Sequence, residues 1–70
     1  MHATIRATLL PEIINRIVIE YGWTEEEALD RFYGSATGAS FDDDETGLYG
    51  QSSLFIFGEF RNEMEEMGVA

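Results

Sequence analysis

Apolar residues recur at intervals of three and four positions over residues 10–22, the period of one face of an α-helix. Pro11 suits the first turn, where its missing N–H removes no helical hydrogen bond, and Gly22 can take the left-handed conformation that ends a helix. We therefore predict a first helix here, and an N-terminal arm over residues 1–9 that is either extended or a helical extension. The predicted buried face consists of Leu10, Ile13, Ile14, Ile17, Val18 and Tyr21.

A second helix is predicted to begin after Thr24, because Thr24 and Glu27 have the spacing of a capping box. Its predicted buried face consists of Ala28, Leu29, Phe32 and Tyr33. Gly34 and Gly38 each weaken a helix by about 1 kcal/mol relative to alanine. The helix therefore either ends near Tyr33 or continues irregularly toward Phe41, and we favour the irregular extension.

Residues 42–52 are rich in Asp, Gly, Thr and Ser, a composition typical of a loop. A third helix is predicted from Ser53 as N-cap to Gly68 as stop signal. Its predicted buried face consists of Ile56, Phe57, Phe60, Met64 and Met67. The predicted fold is thus all-α: a single three-helix domain over residues 10–68, with a long ordered acidic loop before the third helix.

Composition supports a folded chain, since 44% of the 70 residues are apolar and 13% are aromatic. There is no cysteine, which excludes disulfide bonds and thiolate zinc sites. There is neither a signal-peptide pattern nor an apolar stretch of the roughly 18 residues that a membrane helix needs. The sequence predicts a cytoplasmic protein that does not enter a membrane.

The charge balance narrows the possible partners. Fourteen Asp and Glu face four Arg and no Lys, which leaves a formal net charge of −10. Nucleic acids and anionic membranes are bound through clustered basic side chains, so direct binding to either is not expected. A basic protein partner, a metal ion or simple solubility remains, and self-association stays open.

The chain carries no catalytic motif, so we predict no enzymatic activity, no catalytic residues and no cofactor. One metal motif is partly matched: Asp42, Asp44, Thr46 and Gly47 correspond to positions 1, 3, 5 and 6 of an EF-hand loop. Position 12 is Ser53 and lacks the bidentate glutamate of that motif. We predict no metal site and keep calcium binding as an alternative.

Two apolar residues fall outside the predicted buried faces. Ile19 lies nearly opposite the apolar face of the first helix, and Phe55 lies beside the polar side of the third. An aromatic anchor bordered by carboxylates suits the groove of a basic partner. The alternative is that Phe55 covers the loop or the N-terminal arm. The predicted partner-binding residues are Ile19, Phe55, Glu59, Glu63 and Glu66.

The run FDDDETGLYGQSSLFIF at residues 41–57, preceded by EALDRFYGS at residues 27–35, resembles a family of small bacterial proteins of unknown function. The similarity covers roughly residues 10–66 and departs from the family at Ser53, where proline is usual and would fix φ. The resemblance transfers no catalytic residues. Glu45, Thr46, Leu48, Tyr49 and Ser52 carry over as a structural motif.

Members of that family look like partners encoded beside ADP-ribosyltransferase-like toxins, so the resemblance implies an antitoxin or accessory role. We therefore predict a non-enzymatic protein-binding module, in its sharpest form an antitoxin-like inhibitor of a basic partner. One alternative is an acidic mimic of nucleic acid that blocks a DNA- or RNA-binding protein. A calcium-binding module is the other.

Overall fold

The computed structural model describes residues 3–43 and 45–68. Within these ranges the chain forms four α-helices and no strand, which confirms the all-α prediction and corrects the count of three helices. None of these helices is both long enough and apolar enough to cross a membrane. The helices are α1 Ala3–Tyr21, α2 Glu25–Tyr33, α3 Ala36–Asp42 and α4 Ser53–Glu66, and a one-turn 3-10 helix, Leu48–Gly50, lies between α3 and α4.

Helix α1 begins at Ala3, so the part of residues 1–9 that is described is a helical extension rather than an extended arm. Pro11 consequently lies inside α1 and not in its first turn. A proline there removes a hydrogen bond and crowds the preceding turn. Packing stabilises α1 despite this cost, since Ile13, Ile14 and Ile17 are buried in the core. Near its start the Arg6 guanidinium also lies 4.0 Å from a carboxylate oxygen of Asp42 and 5.5 Å from the ring centre of Tyr49.

The end of α1 follows the prediction, and at the start of α2 the Thr24 hydroxyl makes its half of the predicted capping box. Gly22 has φ 71° and ends α1, and the Thr24 hydroxyl accepts a hydrogen bond from the Glu27 amide at 3.1 Å. The Glu27 carboxylate makes an ion pair with Arg31 at 3.2 Å, one turn further along α2. The N-terminus of α2 is therefore fixed by the Thr24 hydroxyl. At its other end the prediction that Tyr33 is buried is wrong, because Tyr33 is the last residue of the helix and is 46% exposed.

The expected irregular extension of α2 is instead a separate helix, α3. Helix α2 ends at Tyr33, and Ser35 starts α3 by accepting a hydrogen bond from the Gly38 amide at 3.0 Å. The same Ser35 hydroxyl donates to the Phe32 carbonyl. A single serine thus closes α2 and opens α3, which allows the chain to turn where a continuous helix would run on.

Gly38 is required by the close contact between α2 and α3. A Cβ atom at this position would overlap the carbonyl group of Phe32, and Gly38 is buried. Only glycine permits this approach of two backbones, so the residue that weakened the helical pattern is the one that lets α3 pack.

The core lies between α1, α2, α3 and α4, with Phe32 at its centre. The ring centre of Phe32 is 5.7 Å from that of Phe41 in α3 and 5.8 Å from that of Phe60 in α4. Such tilted and edge-to-face contacts add to the stabilisation from burial. The buried apolar residues are Ile13, Ile14, Ile17, Ala28, Phe32, Phe41, Ile56, Phe57, Phe60 and Met64.

Two details of the last helix differ from the prediction. The N-cap is Ser52, whose hydroxyl accepts from the Phe55 amide at 3.1 Å, and Ser53 is the first helical residue and is buried. Met67 is 66% exposed rather than part of the buried face, because α4 ends at Glu66 beyond the last core contact at Met64. Gly68 has φ 82°, as expected of the stop signal.

Replacing Gly38 tests the close contact between α2 and α3. Gly38→Ala should lower the free energy of unfolding by at least about 2 kcal/mol, because the buried backbones must separate to admit the methyl group. The matched control is Gly58→Ala in α4, where an added Cβ meets nothing within 4 Å and the free energy of unfolding should rise by up to about 1 kcal/mol. Urea denaturation measures both, and equal effects of the two variants would contradict this packing.

Candidate partner-binding surface

The side of α4 that faces away from the core carries Phe55, Glu59, Asn62 and Glu66, which recur at helical spacing. We call these four residues the α4 outer face. Phe55 is 48% exposed and the adjacent Leu54 is 59% exposed, so the predicted position of Phe55 outside the buried face is confirmed. The face therefore offers an apolar side chain at the start of α4, followed by carboxylates.

Gly58 lies beside these apolar residues, three positions after Phe55 and four after Leu54. An added Cβ at Gly58 would meet no other atom within 4 Å, so the described structure contains no close contact that requires glycine here. Glycine inside a helix costs about 1 kcal/mol relative to alanine. The missing side chain leaves room for another backbone to approach Phe55 and Leu54 closely.

The carboxylates of Glu59 and Glu66 make no ion pair within the described residues. Other acidic residues do: Arg61 lies 3.6 Å from Glu20 and 4.0 Å from Glu65. The exposed carboxylates of Glu12, Glu25, Glu26 and Asp30 make no ion pair within the described residues either. What distinguishes Glu59 and Glu66 is that they share a helix face with the exposed Phe55, so a basic group attracted to them lies next to apolar surface.

Glu63 has a different role from its neighbours. One carboxylate oxygen accepts from the Ala36 amide at 2.8 Å, and the other accepts from the Thr37 amide at 2.9 Å and the Thr37 hydroxyl at 2.8 Å. Glu63 therefore connects α4 to the first turn of α3. Because its acceptors are engaged inside the molecule, we leave Glu63 out of the candidate surface.

These contacts also set the protonation of Glu63. Partial burial acts to raise the pKa of Glu63, but the hydrogen bonds from the Ala36 and Thr37 amides and the Thr37 hydroxyl outweigh it, and the pKa is lowered. The carboxylate form is therefore the one that the fold stabilises.

Ile19 is 74% exposed on α1, as its position in the helical pattern predicted. The next residue, Glu20, contacts Arg61 in α4, whereas Phe55 lies about 9 Å along α4 from Arg61. Ile19 and Phe55 are both exposed, but they lie on different helices, and their positions in the sequence alone do not place them in one continuous apolar patch. A role for Ile19 in partner binding stays a prediction.

A groove of about 350 Å³ lies between α3, the segment before α4, and α4 itself. Glu59 of the α4 outer face forms one wall, so the groove adjoins the exposed Phe55 one turn earlier. The groove was not predicted from the sequence, because it exists only when α3 is a separate helix. The available signal was the spacing of Ser35 and Gly38, which fits an N-cap at Ser35. The lining residues are Ala36, Thr37, Ser40, Thr46, Leu48 and Glu59.

The residues of the partial EF-hand match lie in a segment whose polar side chains hydrogen-bond to its own backbone. Asp42 is the last residue of α3, and a carboxylate oxygen of Asp43 accepts from the Glu45 amide at 2.9 Å. The Thr46 hydroxyl donates to the Ser40 carbonyl at 2.6 Å. Among the described residues no group of three or more Asp, Glu, His or Cys could hold a metal ion, and Asp44 lies outside those residues.

No protein-family model, curated protein or solved structure matches this chain. Three features of the chain itself bear on what it can bind: the exposed apolar pair Leu54 and Phe55, Gly58 beside them, and the carboxylates of Glu59 and Glu66 without an ion pair in the described residues.

Glu63→Gln tests the connection between α4 and α3. The variant should lower the free energy of unfolding by about 1–2 kcal/mol at pH 7, because a charged acceptor of three hydrogen bonds is lost. Glu66→Gln in the same helix is the control and should change it by no more than about 0.5 kcal/mol.

The pH dependence supplies the second part of this test. Since folding lowers the pKa of Glu63, its stabilising effect is fully present above the unfolded glutamate pKa of about 4.3 and disappears as the pH falls through the lowered value. The difference between the wild type and Glu63→Gln in denaturant unfolding should shrink over that range. A difference that is constant with pH would mean that the carboxylate charge is not involved.

Truncation of Phe55 and of Phe60 should lower the free energy of unfolding of the free protein by clearly different amounts. Phe60 is fully buried, so Phe60→Ala should cost about 3–5 kcal/mol. Phe55 is half exposed, and Phe55→Ala should cost less than about 1.5 kcal/mol because little apolar area is removed from the interior. If urea denaturation gave Phe55→Ala the larger cost, Phe55 would be a core residue and not a candidate anchor.

Proposed function

We propose that this chain is a non-enzymatic protein-binding module that binds a basic partner through the α4 outer face. The observation that carries the proposal is the exposed Phe55 beside the unpaired carboxylates Glu59 and Glu66. Buried aromatic anchors supply much of the binding energy of protein interfaces, and charges around them raise the association rate. A net charge of −10 directs this attraction toward positively charged partners.

The sharpest form of the proposal is an antitoxin-like inhibitor that acts in the cytoplasm. The resemblance of residues 41–57 to partners encoded beside ADP-ribosyltransferase-like toxins supports this form. An inhibitor needs only to cover a surface of its target, and an exposed aromatic anchor bordered by carboxylates is a suitable centre for such an interface. Binding alone would then be the activity.

The α4 outer face favours an anchored complex over an acidic mimic of nucleic acid. A mimic uses carboxylates spread over a face and has no use for exposed Leu54 and Phe55. Several acidic residues are also engaged internally, including Glu20, Glu27 and Glu63. Affinity for a mimic's target should collapse with salt, whereas an anchored complex should lose mainly association rate.

Capture from a lysate of the source organism, followed by binding kinetics with the purified captured protein, tests the proposal. Phe55→Ala should weaken binding by about 30-fold through faster dissociation, as loss of an anchor worth about 2 kcal/mol does. Glu66→Gln should instead slow association and reduce its salt dependence. Met67→Ala, which removes another exposed apolar side chain at the far end of α4, is the control and should leave binding unchanged.

Three results would contradict the proposal. Equal losses from Phe55→Ala and Met67→Ala would mean that Phe55 is not an anchor. Binding that is insensitive to Phe55→Ala but collapses with salt would instead indicate an acidic mimic. Capture of the same proteins by every variant would show nonspecific attraction to the negative charge.

A further inference from the structure

Two hydroxyl groups that line the groove beside Glu59 already donate their protons to other groups of the protein. The Thr37 hydroxyl donates to Glu63 at 2.8 Å, and the Thr46 hydroxyl donates to the Ser40 carbonyl at 2.6 Å. Each hydroxyl has a single proton and two lone pairs. The Thr46 oxygen already accepts from the Leu48 amide at 3.3 Å, so it has one lone pair left, and what the two hydroxyls can still do is accept hydrogen bonds. The ionised carboxylate of Glu59 is also only an acceptor.

The remaining walls suit an aliphatic stem. Ala36 and Leu48 contribute apolar surface, and Ser40 contributes a hydroxyl without a hydrogen bond in the described structure. A ligand that fits this groove must therefore donate several hydrogen bonds, carry positive charge and reach the acceptors through a flexible apolar chain. Arginine and lysine side chains have these properties.

We propose that this groove binds an arginine side chain of the partner, with its guanidinium on the Glu59 carboxylate. This deepens the proposed function and rests on it, because a partner residue that contacts Phe55 brings its neighbours within one helical turn of Glu59. Arginine is favoured over lysine because its planar group presents five donors in a fixed fork, which matches a carboxylate with further acceptors around it.

A second copy of this chain is not the expected source of the arginine. Both copies would carry a net charge of −10, and their outer faces would bring Glu59 and Glu66 together. Three of the four arginines are already paired internally in the described structure: Arg6 with Asp42, Arg31 with Glu27, and Arg61 with Glu20 and Glu65. Only the exposed Arg16 on α1 would be left for a second copy, and its approach to the groove would be opposed by the net charge of both chains. The arginine should come from a basic protein.

The test uses Nα-acetyl-L-arginine amide as the probe and needs no identified partner. The probe is titrated into the ¹⁵N-labelled full chain at about 0.15 M salt, which screens long-range attraction to the net charge. We expect saturable shifts concentrated at the amides of Thr37, Ser40, Thr46 and Leu48. The matching citrulline amide, which has the same shape without the charge, should give no saturable shift.

Variants and a second cation locate the site. Glu59→Gln should weaken the probe's affinity by at least about fivefold, since the carboxylate that receives the guanidinium is lost. The control is Glu12→Gln, which removes an exposed carboxylate on α1 and should leave the affinity unchanged. Nα-acetyl-L-lysine amide should bind at least about threefold more weakly than the arginine probe, because an ammonium lacks the fork.

Several results would overturn this assignment. Shifts spread evenly over the acidic surface, or equal effects of Glu59→Gln and Glu12→Gln, would mean attraction to net charge alone. Equal affinity for the lysine and arginine probes would mean that the groove does not distinguish arginine. Concentration-dependent shifts at the groove without a probe would point to a second copy as occupant.

The outcome is separable from that of the partner-binding experiment. If Phe55→Ala leaves capture of a basic protein unchanged while the probe still binds at Glu59, the anchor is wrong and the groove stands. If Phe55→Ala abolishes capture and the probe does not bind, the surface stands and the arginine assignment is wrong.

Discussion

The seating of α3 between α2 and α4 is the constraint on which the rest of the structure depends. Seven residues are too few to form a stable helix alone, so α3 exists only through its contacts. The absence of a side chain at Gly38 lets its backbone approach the Phe32 carbonyl, and Glu63 binds its first two amides from α4. Phe41 is then buried against Phe32, and the groove beside Glu59 is formed.

In this arrangement some acidic residues have a hydrogen-bond or ion-pair partner inside the protein and others do not, a difference that the net charge does not show. Some have structural roles, such as Glu63 at the start of α3 and Glu27 beside Arg31. Others, including Glu59 and Glu66, have no partner in the described part of the chain. The sum of −10 predicts attraction to basic molecules, but only the fold shows where uncompensated charge lies next to apolar surface.

Local signals explain what could be predicted from the sequence. Several predicted features depend only on residues that are close together in the chain. They are the ends of the helices at Gly22 and Gly68, the cap at Thr24 and most of the buried faces. The separate α3, the continuation of α1 through Pro11 and the groove depend on contacts between distant residues. Helical propensity counts Gly38 as unfavourable, because it describes a single helix. The benefit of Gly38 is its close contact with α2, which such a scale does not measure.

Gly38 and Gly58, which both lie inside α-helices, differ in what their missing side chains allow. At Gly38 the conformational cost of glycine is offset by a close helix contact, whereas at Gly58 the same kind of cost has no compensating contact in the described structure. A domain of this size buries only about 60% of its unfolded surface and has little stability to spare. Leu54 and Phe55 also leave apolar area in water right beside Gly58. Under the proposed function these costs, which lie together at the start of α4, would be offset when a partner covers Leu54 and Phe55.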